Sequence, residues 1–253
     1  MKDKVRLVEV LFFGGLLLVI LFSILPLFNV LLPETIPNIL YLLVEFLAFI
    51  VALIFFFKID RKQKLWLGWF FVLLGFFIYL LSDFLGIFFK LENAQMLKLV
   101  SFILNFVALL LFIIFISNSL RVRLSFNENF LLVINAILLF VLILQVGILP
   151  TLLNGSMLLE DKIINILFLL GDYMLLVVFM ILFLTITTHF WGGEIAKNYY
   201  LLTLSIALLS ISNLIFSYIL GSYELFKIDR IIYLGGYMII AYSIVKEGVL
   251  QEV

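Results

Sequence analysis

Stretches of about 20 residues with scarcely a charge among them recur along the whole 253-residue chain, and no other feature constrains its fold as tightly. Residues 42–57, LLVEFLAFIVALIFFF, are typical: apolar on every side, with no polar face to offer water. Such a segment satisfies its own backbone hydrogen bonds as a helix inside hydrocarbon, whereas a membrane barrel needs strands of about 10 residues that alternate in polarity. Composition agrees, with 66% hydrophobic and 13% charged residues and a mean hydropathy of +1.33. The expectation is an all-α, polytopic membrane protein with the lipid bilayer as its first partner.

Runs of roughly 18 to 25 apolar residues predict eight transmembrane helices: Leu7 to Phe28, Leu40 to Phe57, Leu65 to Phe89, Leu99 to Ile116, Phe130 to Leu149, Ile163 to Thr185, Tyr199 to Leu220 and Ile231 to Val245. The connections are short, so residues 1–253 read as a single membrane domain with no soluble domain. The first run has a basic flank but no small-residue cleavage site after it, which predicts a retained helix. Eleven of the 16 Lys and Arg residues fall on the N-terminal side of this arrangement and five on the other. The clearest cluster is KIDRKQK, Lys58 to Lys64. Short basic loops stay in the cytoplasm, so both termini are expected there, in a multi-pass protein of the cell membrane.

The two halves of the chain also read alike. Pro26 aligns with Pro150, Glu45 with Asp172, Asp83 with Asn213 and Lys98 with Arg230, at offsets that grow only across loops. This predicts a four-plus-four internal repeat, one copy over about 1–124 and the other over about 125–253, in parallel orientation because each has an even number of spans.

The repeat sharpens a chemical question, since a carboxylate facing lipid at the bilayer centre costs at least about 2.5–3.5 kcal/mol. Counting residues from the predicted span ends puts Glu45, Asp83, Asp172 and Asn213 in the outer half of the bilayer. Small and hydroxyl residues share stripes with them: Gly75, Tyr79, Ser82, Asp83 and Gly86 on one helix, Ser205, Ser210, Asn213, Ser217 and Gly221 on another. These stripes should face inward. The candidate ligand-binding residues are Asp172, Asp83, Glu45, Asn213, Tyr79 and Tyr173, lining an outward-opening polar pocket that could take a cation, a ligand amine or a proton. As helix glue alone, the same groups would be satisfied by neighbouring hydroxyls.

Other chemistries find no support. A net charge of zero points to no nucleic-acid partner, and the lack of cysteine removes disulfides and thiolate metal sites. The one histidine, His189, cannot form a ligand cluster and reads as an interfacial residue beside Trp191. No mid-membrane lysine is predicted, nor any phosphate loop, Gly-x-Ser-x-Gly or His-Glu-x-x-His motif. No cofactor, metal or catalytic residue is therefore assigned, and an enzyme is not the expected outcome.

The run LLGDYMLL, with the later SISNLIFSYILGSYELF, resembles the eight-helix membrane domains that precede histidine kinase or diguanylate cyclase modules in bacteria and archaea. The matching positions are Asp172, Asn213, Phe216, Tyr218 and Tyr223, with Ser82 and Asp83 as their first-repeat counterpart. Asn213 stands where that pattern has Asp, and no output module follows Val253. The resemblance implies a stand-alone membrane sensor that signals through helix shifts to a separate cytoplasmic partner, and it is compatible with a homo-oligomer. Two alternatives are a proton- or cation-coupled small-solute transporter, and an intramembrane lipid hydrolase resembling the eight-span lysoplasmalogenases.

Overall fold

The computed structural model describes residues 2–24, 35–63, 65–89, 94–120, 124–189, 194–218 and 226–250. All regular structure among them is helical: α1 (Lys2–Ile24), α2 (Thr35–Phe56), α3 (Trp66–Phe89), α4 (Ala94–Leu120), α5 (Phe126–Ile143), α6 (Leu149–Leu153), α7 (Leu159–His189), α8 (Glu194–Tyr218) and α9 (Phe226–Leu250). A π-helical turn, Leu144–Ile148, joins α5 and α6 into one rod, which leaves eight helices among the described residues.

Five of these are long and apolar enough to cross a membrane: Asn38–Phe56, Trp66–Phe89, Met96–Phe115, Phe126–Leu153 and Leu159–Thr187. The expectation of eight transmembrane helices in a four-plus-four repeat is thereby corrected to five among the described residues. Of α1, α8 and α9 only part of the side chains is described. The described apolar part of α8 is Asn198–Ser212, and it contains Thr203, Ser205, Ser210 and Ser212. In α9 about 15 residues separate Arg230 from Lys246, roughly 22 Å of helix against about 30 Å of hydrocarbon.

Two compact units divide the chain. The first comprises Met1–Phe112 with Tyr233–Val253, the second Ile113–Ile232, so the C-terminal helix is grouped with the N-terminal ones.

In the first unit α3 is enclosed by its neighbours. Trp69 meets Phe112 of α4 edge-on at 5.1 Å, and a Cβ added to Gly68 would lie 3.0 Å from the Phe112 ring. Phe49 of α2 packs edge-on against Phe76 at 5.6 Å, while Phe76 stacks on Tyr237 of α9 at 4.6 Å. α9 is the interior rod, with Leu234, Ile240, Ala241, Ile244 and Val245 wholly buried. Its far end lies so close to α2 that a Cβ on Gly248 would sit 2.6 Å from the Phe55 carbonyl oxygen. That carbonyl also accepts the Lys58 N–H at 3.0 Å, closing α2 into the KIDRKQK turn. Asp60 then accepts the Lys62 N–H at 3.0 Å, as short acidic side chains do in turns.

In the second unit the α5–α6 rod, α7 and α8 pack together. Ser125 and Glu128 form a capping box at the start of α5, each side chain accepting the other's backbone N–H. Pro150 has no N–H to donate and its ring crowds the preceding turn, which accounts for the widening just before it. Thr151 donates its hydroxyl to the Gly147 carbonyl at 2.8 Å, satisfying an acceptor in the disturbed ladder. Ile143, Ile148 and Leu169 form the core at this point.

Candidate functional site

On α2 the residues Tyr41, Glu45, Ala48 and Ala52 recur at helical spacing and are all buried, while Leu43, Phe46 and Leu47 lie exposed on the other side. Glu45 therefore points into the first unit, and its exposure is 0%. Both of its carboxylate oxygens are buried without a hydrogen-bond partner.

Three further helices bring polar stripes toward it. α3 supplies Tyr79 and Asp83, α4 supplies Lys98, Ser101 and Asn105, and α9 supplies Tyr233 and Tyr237. The Lys98 ammonium lies 2.8 Å from Asp83 Oδ1. It also donates to the Tyr79 hydroxyl at 3.3 Å and sits 4.8 Å from the centre of the Tyr79 ring, within cation–π range. Asp83 accepts a second bond, from the Tyr41 hydroxyl at 3.1 Å on its other oxygen. Tyr79 stacks on Tyr233 at 4.9 Å and lies 4.7 Å from the Tyr237 ring. Glu45 is within electrostatic reach of Asp83 and Lys98.

A second group of oxygens adjoins this network. Ser101 donates to the Gly75 carbonyl at 2.7 Å, and Asn105 packs so tightly on Gly75 that a Cβ there would lie 3.0 Å from Asn105 Oδ1. That Oδ1 is buried and has no hydrogen-bond partner. Tyr237 neighbours Ser101 and is within electrostatic reach of Glu45 and Asp83.

The charge arithmetic is uneven. With Glu45 and Asp83 ionised, two carboxylates share one ammonium, and the cluster is one positive charge short. In a low-dielectric interior such an imbalance is costly, and a proton or a bound cation removes it.

The ion pair lies toward one end of the spans, while Glu45 stands near the middle of α2: Asp83 precedes the end of α3 by six residues, and Lys98 stands in the first turns of α4. The KIDRKQK turn is at the opposite ends of α2 and α3.

Of the residues expected to form the site, the structure brings together Glu45, Asp83 and Tyr79. Asp172 and Tyr173 belong to the second unit, where Asp172 is fully buried on α7 and Tyr173 meets Phe140 edge-on at 5.4 Å. The side chains of Asn213, Phe216, Tyr218, Arg230 and His189 lie outside the described residues, as do Pro26, Trp191 and Tyr223. Tyr41, Lys98, Ser101, Tyr233 and Tyr237 were not expected as site residues. Lys98 reads as a loop charge in the sequence but stands inside α4. Tyr41 precedes Glu45 by four residues and Tyr233 precedes Tyr237 by four, a spacing that places each pair on one helix face.

No family model, curated protein or solved structure matches the chain. The chain is an all-α, multi-helix protein with several helices of membrane-spanning length, and no homology supports the sensor-domain resemblance.

Proposed function

We propose that the chain is an integral membrane binding protein with a sensory role, and that its ligand site is the cluster around Glu45, Asp83 and Lys98. The observation that carries this reading is Glu45: a wholly buried carboxylate with both oxygens unpaired. An unpaired buried acid costs several kcal/mol unless it is protonated or meets a cation, so a merely structural residue at this position would be expected to have acquired a donor. Orientation follows from the basic turn at the other end of the same helices. With KIDRKQK in the cytoplasm, the site faces outward.

Helix α9 supplies a route for the signal. Tyr233 and Tyr237 sit in the site, and Gly248 rests on the carbonyl that closes the KIDRKQK turn. About 17 Å of rigid helix separates Tyr237 from Gly248. A ligand that repacks the tyrosines would shift this rod against the turn, where a cytoplasmic partner could read the change. The ionisable trio also suits proton- or cation-coupled transport, which a flux assay in sealed vesicles would reveal.

The test is hydrogen exchange of residues 57–63 in nanodiscs, with sodium, potassium, methylammonium or choline chloride at matched ionic strength. At least one probe should alter exchange in the wild type and leave Glu45→Gln unaffected. A folded wild type that answers to none of the four would overturn the reading.

A further inference from the structure

The end of the first unit that carries KIDRKQK has a chemistry of its own, independent of the Glu45 site. Only residues 57–65 separate α2 from α3, and tight turns reverse the chain there. The Lys58 and Ile59 N–H groups donate to the Phe55 and Phe56 carbonyls, Gln63 donates to Asp60 and Trp66 to Gln63, at 3.0–3.1 Å. So short a reversal keeps Lys58, Arg61 and Lys62 at the membrane surface, level with the lipid headgroups. The rings beside it mark that level: Trp66 stacks on Phe70 at 5.5 Å and lies 5.4 Å from Phe56, and tryptophan gathers where hydrocarbon meets water.

Basic groups collect at this end from two parts of the chain. Arg61 and Lys62 are exposed, and the Lys58 ammonium lies 4.7 Å from the centre of the Phe55 ring. Phe55 belongs to an apolar cluster with Val8, Val245 and Val249, against which Tyr242 also packs. Lys246 of α9 lies 5.4 Å from the centre of that Tyr242 ring. The acids of the same end are already engaged. Asp60 accepts the Lys62 N–H, Glu9 of α1 accepts the Tyr242 hydroxyl, and Glu247 is buried. What the turn presents outward is therefore positive, and Arg61 adds a planar fork that matches two phosphate oxygens. Ile54 and Phe57, 54% and 69% exposed, stand just below these charges where a membrane-spanning helix ends. Positive groups at headgroup level above bare apolar side chains match a negatively charged lipid; a soluble acidic protein has no counterpart for Ile54 and Phe57.

We infer that the α2–α3 turn binds an anionic phospholipid, with Lys58, Arg61 and Lys62, supported by Lys246, around its phosphate and with its acyl chains along Ile54 and Phe57.

The test places the full chain in phosphatidylcholine nanodiscs with a trace of spin-labelled phosphatidylglycerol or spin-labelled phosphatidylcholine, and reads the immobilised lipid by electron paramagnetic resonance. Phosphatidylglycerol should be held at least about tenfold more strongly, since each basic group near the surface adds a severalfold preference. Arg61→Gln combined with Lys62→Gln should lose most of that preference, and both side chains are exposed, so the fold is kept. Lys162→Gln, which removes a positive charge from the second unit, should change nothing. Equal immobilisation of the two lipids by the wild type would overturn the inference and leave an acidic protein as the occupant to seek. A preference unchanged in the double variant would put the lipid elsewhere and overturn it as well. Release of the labelled lipid by inorganic phosphate, and not by chloride of the same ionic strength, would give the site to a free anion instead.

Discussion

Gly248→Ala offers a direct test of how α9 is seated in the first unit. Alanine is better than glycine in an exposed helix by about 1 kcal/mol, so the ordinary expectation is stabilisation. Here the added Cβ would lie 2.6 Å from the Phe55 carbonyl oxygen and 3.3 Å from Phe55 C and Cβ. Ordinary contact needs about 3.4 Å, so one helix must retreat by most of an ångström, and the obstacle is backbone already tied to the Lys58 N–H. Overpacking of this kind costs about 1–3 kcal/mol, which outweighs the propensity gain and leaves a net loss of about 1 kcal/mol. Gly235→Ala is the control on the same helix, since nothing lies within 4 Å of its added Cβ, and it should be neutral or stabilise by up to about 1 kcal/mol. Reversible unfolding in mixed detergent micelles would measure both; at this chain length roughly 2–4 °C accompanies each kcal/mol. If Gly248→Ala is as stable as Gly235→Ala, the close approach of α9 to α2 is wrong.

Removing the ammonium alone, Lys98→Met, leaves two carboxylates facing each other and should cost about 1–3 kcal/mol, much of it restored by Lys98→Met with Asp83→Asn; a double-mutant cycle in nanodiscs reads the coupling, and strict additivity would deny the pair. Tyr79→Phe deletes one acceptor of Lys98 while keeping the ring beneath it, so stability should fall by only about 0.5–1.5 kcal/mol in the same assay. Ser125→Ala breaks the capping box and should cost about 1 kcal/mol in the second unit, seen as faster hydrogen exchange over the first turns of α5, with Ser125→Asp close to wild type. Pro150→Ala should restore the missing N–H and relax the π-helical turn; amide exchange at Leu149 to Leu153 slower than in the wild type is the expected sign.

How far the sequence carried these conclusions differs from residue to residue. Apolar length located the eight helices seen among the described residues, although only five of them are long and apolar enough to cross a membrane. It failed as a measure of spanning where short runs adjoin charge, as between Arg230 and Lys246. The depth count placed Glu45 and Asp83 in the same half of the bilayer, and the two lie within electrostatic reach of each other. Lys98 was missed because the helix begins at Ala94, earlier than the apolar run beginning at Leu99 suggests. The tyrosines of α9 were invisible for another reason: their meeting with Tyr79 depends on packing between segments about 150 residues apart, which no local pattern encodes. Asp172 shows the converse, since a buried acid in a similar local context belongs to a different unit.

The first unit is assembled from both ends of the chain, and that imposes an order on its making. Its interior rod is synthesised only after the roughly 120 residues of the second unit, an interval of about 6–24 s at ordinary rates of translation. During that time Glu45, Ser101 and Asn105 have been made but lack the wall that Tyr233 and Tyr237 later provide. Until that helix arrives, these polar side chains lack part of the enclosure that buries them in the finished unit. Closure over such a sequence separation is slow, so damage to α9 should appear first as a failure of biogenesis, with the unfinished unit recognised by quality control before any loss of ligand response could be measured.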